Sequence, residues 1–231
     1  MSVSAASFFI GPVAPESIVS AFGIDLGVGS ASAPGLPLPT ELAGTTATIT
    51  DSSGAEFAIS LLFVSGGQVN FLVPPNLATG RAVITIRSGD GATVQEAEVE
   101  IAPVARGVFS LNSQRITAAL ILRVAPGGEQ TIEQVVELDG GVLKAVPIDF
   151  GPEGHRLFLL LFGTGIRGSN RVDLRIDGRF VSVSFFGPQG DFVGLDQANA
   201  ELTRDLAGRG LVNVELIADR ISANVTKLMF R

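Results

Sequence analysis

An all-β fold of two tandem Ig-like β-sandwich domains with an added hairpin between them is the architecture the sequence predicts, and three observations predict it. Hydrophobic residues alternate with period two rather than 3.6, the pattern of half-buried strands. Turn-forming clusters recur roughly every 8–12 residues, which suits about seven short strands in each unit of ~100 residues. Three sequence blocks also recur in the same order in the two halves of the 231 residues.

Taken from the N-terminus, residues 3–10 are apolar and uncharged. Such a segment adds readily to a sheet edge through main-chain hydrogen bonds. Phe8, Phe9 and Ile10 are therefore the candidate contact segment, pairing either within the first domain or with a neighbouring molecule. Phe57, Ile59, Leu61 and Phe63 fall on one face of a strand. Ala97, Val99 and Ile101 alternate with Glu96, Glu98 and Glu100, and Val172, Leu174 and Ile176 with Asp173, Arg175 and Asp177. Between them lie Asp51-Ser-Ser-Gly54, Gly89-Asp-Gly91, Gly127-Gly128, Asp139-Gly-Gly141 and Asp177-Gly178, several suited to the positive φ of hairpin turns. No helix-length amphipathic stretch occurs; residues 75–80 and 204–208 read as single turns at most.

The repeat matches residues 17–26, 67–74 and 77–86 to 157–166, 196–203 and 206–216. The offset is 140 at Phe22 and Phe162 (162 − 22) but 129 at Gln68 and Gln197 (197 − 68), so about eleven extra residues sit in the first copy, where the Pro-rich loop 27–40 holds them. Domain one is expected at 1–103 and domain two at 104–231. Residues 107–150 have no counterpart in the first copy, and 116–124 with 131–138 around Pro126-Gly-Gly128 predict the inserted hairpin.

Composition narrows function. With no Cys and one His there is no disulfide framework, thiol nucleophile or multi-histidine metal centre. A formal charge of −7 argues against nucleic-acid or anionic-membrane binding. The longest apolar run, 157–162, is too short to span a bilayer. Glycan binding is disfavoured because Trp and Tyr, whose flat rings stack on sugars, are both missing, whereas the 15 Phe suit a core.

Individual motifs give mostly structural readings. Gly163-Thr-Gly165-Ile-Arg-Gly168 matches G-x-G-x-x-G after a strand, but a period-two strand follows where a dinucleotide site needs a helix N-terminus, so a turn is expected. His155 sits in a loop, and no G-x-S-x-G elbow accompanies it. Asp191 and Asp196 flank a Gly-rich loop and read as solvated acids, with a weak calcium site as the alternative. Gln68 and Asn70 recur as Gln197 and Asn199, each pair on one face of a strand; these are candidate structural amides, expected to bond the main chain of a neighbouring loop. Asn224-Val-Thr226 fits a glycosylation acceptor, a three-residue match that carries little weight.

Ala5-Ala-Ser-Phe8, Ala14-Pro-Glu-Ser-Ile-Val-Ser-Ala-Phe-Gly23, Leu62-Phe-Val-Ser-Gly-Gly-Gln-Val-Asn-Phe-Leu-Val-Pro74, Gly107-Val-Phe109, Pro147-Ile-Asp149, Leu161-Phe-Gly-Thr-Gly-Ile-Arg167 and Gly194-Leu-Asp-Gln-Ala-Asn199 carry a family resemblance. The chain resembles, over nearly its whole length, the tandem Ig-like, IPT/TIG-related module at the C-terminus of exported acidobacterial proteins. Ala200 and Glu201 depart from the more apolar continuation of that pattern. The resemblance implies an extracellular, non-catalytic sandwich pair and brings no established activity with it. The location that the resemblance implies is extracellular or cell-surface, and since residues 1–10 carry no Lys or Arg an export signal is expected outside these residues. The expected function is a structural or adhesive module mediating protein contacts or self-association, with no catalytic residues, metal or cofactor. A polymer- or glycan-binding accessory module of an exported enzyme is the alternative, and a hydrolase using paired carboxylates a third reading.

Overall fold

A computed structural model describes residues 1–91 and 93–231. The chain divides into two compact units, Met1–Ala105 together with Asp191–Gly194, and Arg106–Gly190 together with Leu195–Arg231. Every sheet is antiparallel, and the described residues contain no α-helix; Arg204–Leu206 forms one 3-10 turn.

Unit one contains β1 (Ser2–Ser4), β2 (Ile18–Phe22), β3 (Ala31–Ser32), β4 (Glu41–Leu42), β5 (Thr45–Thr50), β6 (Glu56–Ala58), β7 (Ser60–Val64), β8 (Gln68–Leu72), β9 (Gly80–Arg87) and β10 (Val94–Ile101). One sheet runs β1-β2-β8-β7-β3; the other runs β10-β9-β5-β4, with β6 also paired to β5. Their inner faces share one core, in which Val19, Ala21, Leu61, Val69 and Phe71 come from the first sheet and Ile49, Ala82, Ile84 and Ile101 from the second. Strand β9 shows how the sequence does this: Ala82, Ile84 and Ile86 alternate with Val83 and Thr85, so one face is buried throughout. Each fully buried aliphatic side chain contributes about 1.5–3 kcal/mol.

Unit two contains β11 (Gly107–Val108), β12 (Ala119–Val124), β13 (Gln130–Gln134), β14 (Val136–Asp139), β15 (Val142–Ala145), β16 (Arg156–Thr164), β17 (Val172–Ile176), β18 (Arg179–Val181), β19 (Val183–Pro188), β20 (Asp196–Leu202), β21 (Gly210–Ala218), β22 (Ile221–Ser222) and β23 (Thr226–Phe230). One sheet runs β13-β12-β16-β20-β19 with β11 on β16, another runs β18-β17-β21-β22 with β23 on β21, and β14 and β15 pair alone. Leu157, Leu159 and Leu161 of β16 and Ala198, Ala200 and Leu202 of β20 are buried, as are Val172, Leu174 and Ile176 of β17. Ala200 thus faces the core while Glu201 turns outward to Arg156.

The two units follow one strand plan. The pairing order β2-β8-β7 in unit one recurs as β16-β20-β19 in unit two, and β6-β5-β9 recurs as β18-β17-β21. Even an irregularity recurs. Pairing jumps from Leu61↔Phe71 to Phe63↔Asn70 in unit one and from Val183↔Ala200 to Phe185↔Asn199 in unit two, a β-bulge at the equivalent place.

Two expectations are corrected. Phe57, Ile59, Leu61 and Phe63 do not share one strand face. Phe57 lies on β6 in one sheet, Ile59 bonds Ala47 O as the chain crosses, and the bulge after Leu61 puts Phe63 on the outer face. The inserted region holds two hairpins rather than one. Strands β12 and β13 pair from Leu120↔Gln134 to Val124↔Gln130, and β12 is also paired along its whole length to β16, so this hairpin widens the sheet. The second, β14-β15, turns at Gly140 and Gly141, whose φ of 57° and 81° are the left-handed values a two-residue type I′ turn requires.

Candidate functional site

The recurring Gln-x-Asn pairs occupy equivalent positions on the outer, half-buried faces of β8 and β20, because Val69 and Ala198 between them point into the cores. In unit one, Gln68 lies opposite Phe22 and Asn70 opposite Ser20. In unit two, Gln197 lies opposite Phe162 and Asn199 opposite Leu160. Gln68 Nε2 donates to Asn70 Oδ1 at 2.7 Å, and Gln197 Nε2 donates to Asn199 Oδ1 at 2.7 Å. The expected main-chain partners are thus replaced by a bond within each pair. The reason is spacing: amides two residues apart on a strand stand side by side, and the glutamine is long enough to reach its neighbour.

The Gly163-to-Gly168 segment ends strand β16 and then turns at residues 165–168 without opening a helix, and it does hold an anion, one supplied by the chain itself. Asp196, fully buried, accepts from Ile166 N at 2.6 Å and Arg167 N at 3.1 Å through Oδ2, and from Arg167 Nε at 2.6 Å through Oδ1. Arg167 Nη2 also donates to Leu195 O at 3.2 Å. The backbone amides that would cradle a phosphate are taken, and Asp196 is a buried, ion-paired carboxylate rather than a solvated loop acid, whereas Asp191 is exposed. In unit one the equivalent amide, Leu26 N, bonds Gly66 O at 3.0 Å, and Gly67 stands where unit two has Asp196. That glycine-to-aspartate difference between the copies, beside an arginine in the turn, is the sequence signal by which this ion pair was to be found. Gly163 is required for another reason: a Cβ there would lie 2.5 Å from Gly107 O and 2.5 Å from Ile166 Cδ1.

Asp51 plays a comparable part in unit one, at the head of the Asp51-Ser-Ser-Gly54 turn. Nearly buried, it accepts from Ser53 Oγ at 2.6 Å, Ser53 N at 2.9 Å and Ala78 N at 2.8 Å, tying the β5-β6 turn to the loop before β9. The Ser53 hydroxyl, followed by the Ala78 amide, lowers its pKa below the ordinary 3.8.

His155 lies in the loop entering β16, and its Nδ1 is buried without a hydrogen-bond partner among the described residues. No group of three or more His, Asp or Glu side chains gathers with metal-ligating geometry among those residues. In unit one, Ser2 Oγ is likewise unpartnered beside a cavity of about 40 Å³ lined by Phe22, Leu26, Ile84 and Ile86, room for water but not for a substrate. An open groove of about 370 Å³ runs between Ile10-Gly11 and the β10 side chains Glu98 and Glu100, with Glu98 ion-paired to Arg81.

In the contact segment, Val3 is buried and β1 pairs with β2 from Ser2↔Ala21 to Ser4↔Val19. The chain then folds back, Phe8 N donating to Ser4 O at 2.9 Å, and presents Phe8, Phe9 and Ile10 at 62%, 60% and 75% exposure. Phe8 has φ 57°, an unusual conformation for a bulky side chain, held by that fold-back. No family model matches this chain, and no curated protein matches it either.

Proposed function

We propose that the chain is a non-catalytic structural or adhesive module of two tandem Ig-like β-sandwiches that acts outside the cell by mediating protein contacts. The observation carrying this reading is the duplicated strand plan, bulge included, in which the recurring polar motif bonds within its own strand. A duplicated motif turned inward on itself belongs to the scaffold, which leaves loops and edges to meet partners. Phe8, Phe9 and Ile10 fit that role as an exposed apolar segment on a hydrogen-bonded fold-back. The resemblance to IPT/TIG-related modules of exported proteins supports the same assignment.

The test is adhesion. Beads coated with the chain should bind immobilised bacterial surface proteins, and replacing Phe8, Phe9 and Ile10 together by Ser should reduce that binding several-fold while the melting temperature stays near its original value. Inert wild-type beads would remove the adhesive reading. Turnover of an ester, glycoside or peptide substrate that is abolished by His155→Ala would remove the non-catalytic one.

A further inference from the structure

Sheet edges are templates for another strand unless something blunts them, and most edges of the larger sheets among the described residues are blunted. Strand β1 is buried and its end is covered by the fold-back at Ser4. Strand β10 carries Glu96, Glu98 and Glu100. Strand β19 is broken by a bulge and ends in Pro188, and β23 is bridged by Ile116 and Ile148. Strands β3, β4 and β22 have two residues each and β18 has three.

Strand β13, Gln130-Thr-Ile-Glu-Gln134, has none of these devices. It is paired to β12 on one side only, and among the described residues its main chain makes no hydrogen bond to any other segment. Its single charge, Glu133, is bound by Arg123, with Nη2 donating to Oε2 at 3.1 Å. Just before the strand, Ala125 N donates to Glu129 O. Because inward and outward residues alternate in an antiparallel ladder, Thr131 and Glu133 then turn their N–H and C=O groups toward β12. Gln130, Ile132 and Gln134 turn theirs outward.

We infer that β13 pairs antiparallel with β13 of a second copy of the chain about a two-fold axis at Ile132. That register sets Ile132 opposite Ile132, Gln130 opposite Gln134 and Thr131 opposite Glu133. The residues with outward main-chain groups are thereby the ones that face each other, and each such pair exchanges both its N–H···O bonds. Ile132, 55% exposed, continues a cross-strand row with Leu122 and Phe158 on the outer face of its sheet, so the second copy's Ile132 extends an apolar stripe already present. The glutamine amides meet as neutral partners, and Glu133 reaches the junction already neutralised. The contact is isologous and closes at two copies. It names one partner for the contact role proposed above, yet it stands on the edge geometry alone and succeeds or fails separately from adhesion through Phe8 to Ile10. With −7 on each copy, the pairing strengthens as salt screens the repulsion.

Sedimentation equilibrium of the full chain at increasing concentration, in low and in physiological salt, reads the association. A reversible monomer–dimer equilibrium favoured by salt is expected. Ile132→Pro deletes an outward N–H without removing a bond to β12, and Ile132→Lys places like charges opposite each other; each should weaken the dimer at least about tenfold. In a chain with no other cysteine, Ile132→Cys should give a disulfide-linked dimer on mild oxidation, since opposed strand residues about 5.5 Å apart fall within disulfide reach. Val142→Cys, on an exposed hairpin, should not. A monomer at every concentration overturns the inference. So does a dimer that survives Ile132→Lys with its fold intact and is not cross-linked through Ile132→Cys.

Discussion

Asp196 and Arg167 are 29 residues apart, and neither is informative alone. The sequence identifies the turn and warns that no helix follows it, but not that a buried carboxylate occupies it, because pairing across 29 residues depends on register between β16 and β20. Removing one member of a buried pair leaves an uncompensated charge, so Asp196→Ala should cost about 3–5 kcal/mol in a urea melt. A loss under 1 kcal/mol would mean that water reaches Arg167 easily and the pair is not a structural anchor. The recurring amides are worth less. Asn70→Ala and Asn199→Ala each remove one neutral hydrogen bond, so each should lose about 0.5–1.5 kcal/mol, by similar amounts in the two units.

Elements were legible where alternation ran without interruption. Strands β10 and β17 and the Asp139-Gly-Gly141 hairpin could be drawn from the sequence, since polar and apolar residues strictly alternate or the glycines dictate the turn. The run 57–63 was not legible: a single extra residue in a bulge inverts which side chains face the core, and composition carries no mark of it. The inserted region was legible as a hairpin around Pro126-Gly-Gly128, but its service as the outer strands of a sheet depends on β12 finding β16, a long-range pairing. Close approach gives a test at this scale. In Gly163→Ala the new methyl meets Gly107 O of β11, a backbone atom unable to swing aside, and overpacking of this kind should cost about 1–3 kcal/mol. Wild-type and variant chains should show equal, negligible nucleotide affinity by calorimetry; saturable binding lost in the variant would restore the phosphate reading of the glycines.

At the scale of the molecule, the three repeated blocks were enough to find the duplication, and the structure extends it to strands without detectable sequence likeness. The same scale sets the response to acid. Asp51 is held below 3.8 first by the Ser53 hydroxyl, Asp205 below 3.8 first by the Thr203 hydroxyl, and Glu201 below 4.5 first by Arg156. Each folded-state pKa lies beneath its unfolded value, so on acidification the unfolded chain takes up protons before the folded one. The stability these groups contribute is fully present above about pH 4.5–5 and is lost as pH falls through the folded values. Asp51 and Glu201 lie in different units, so the decline should involve both. The urea midpoint should therefore stay nearly level from pH 7 to 5 and fall between pH 4 and 3, and Glu201→Gln should shallow that fall while also lowering the midpoint at pH 7. A midpoint that holds or rises from pH 5 to 3 would show that these carboxylates are no better bonded in the folded chain than in the unfolded one.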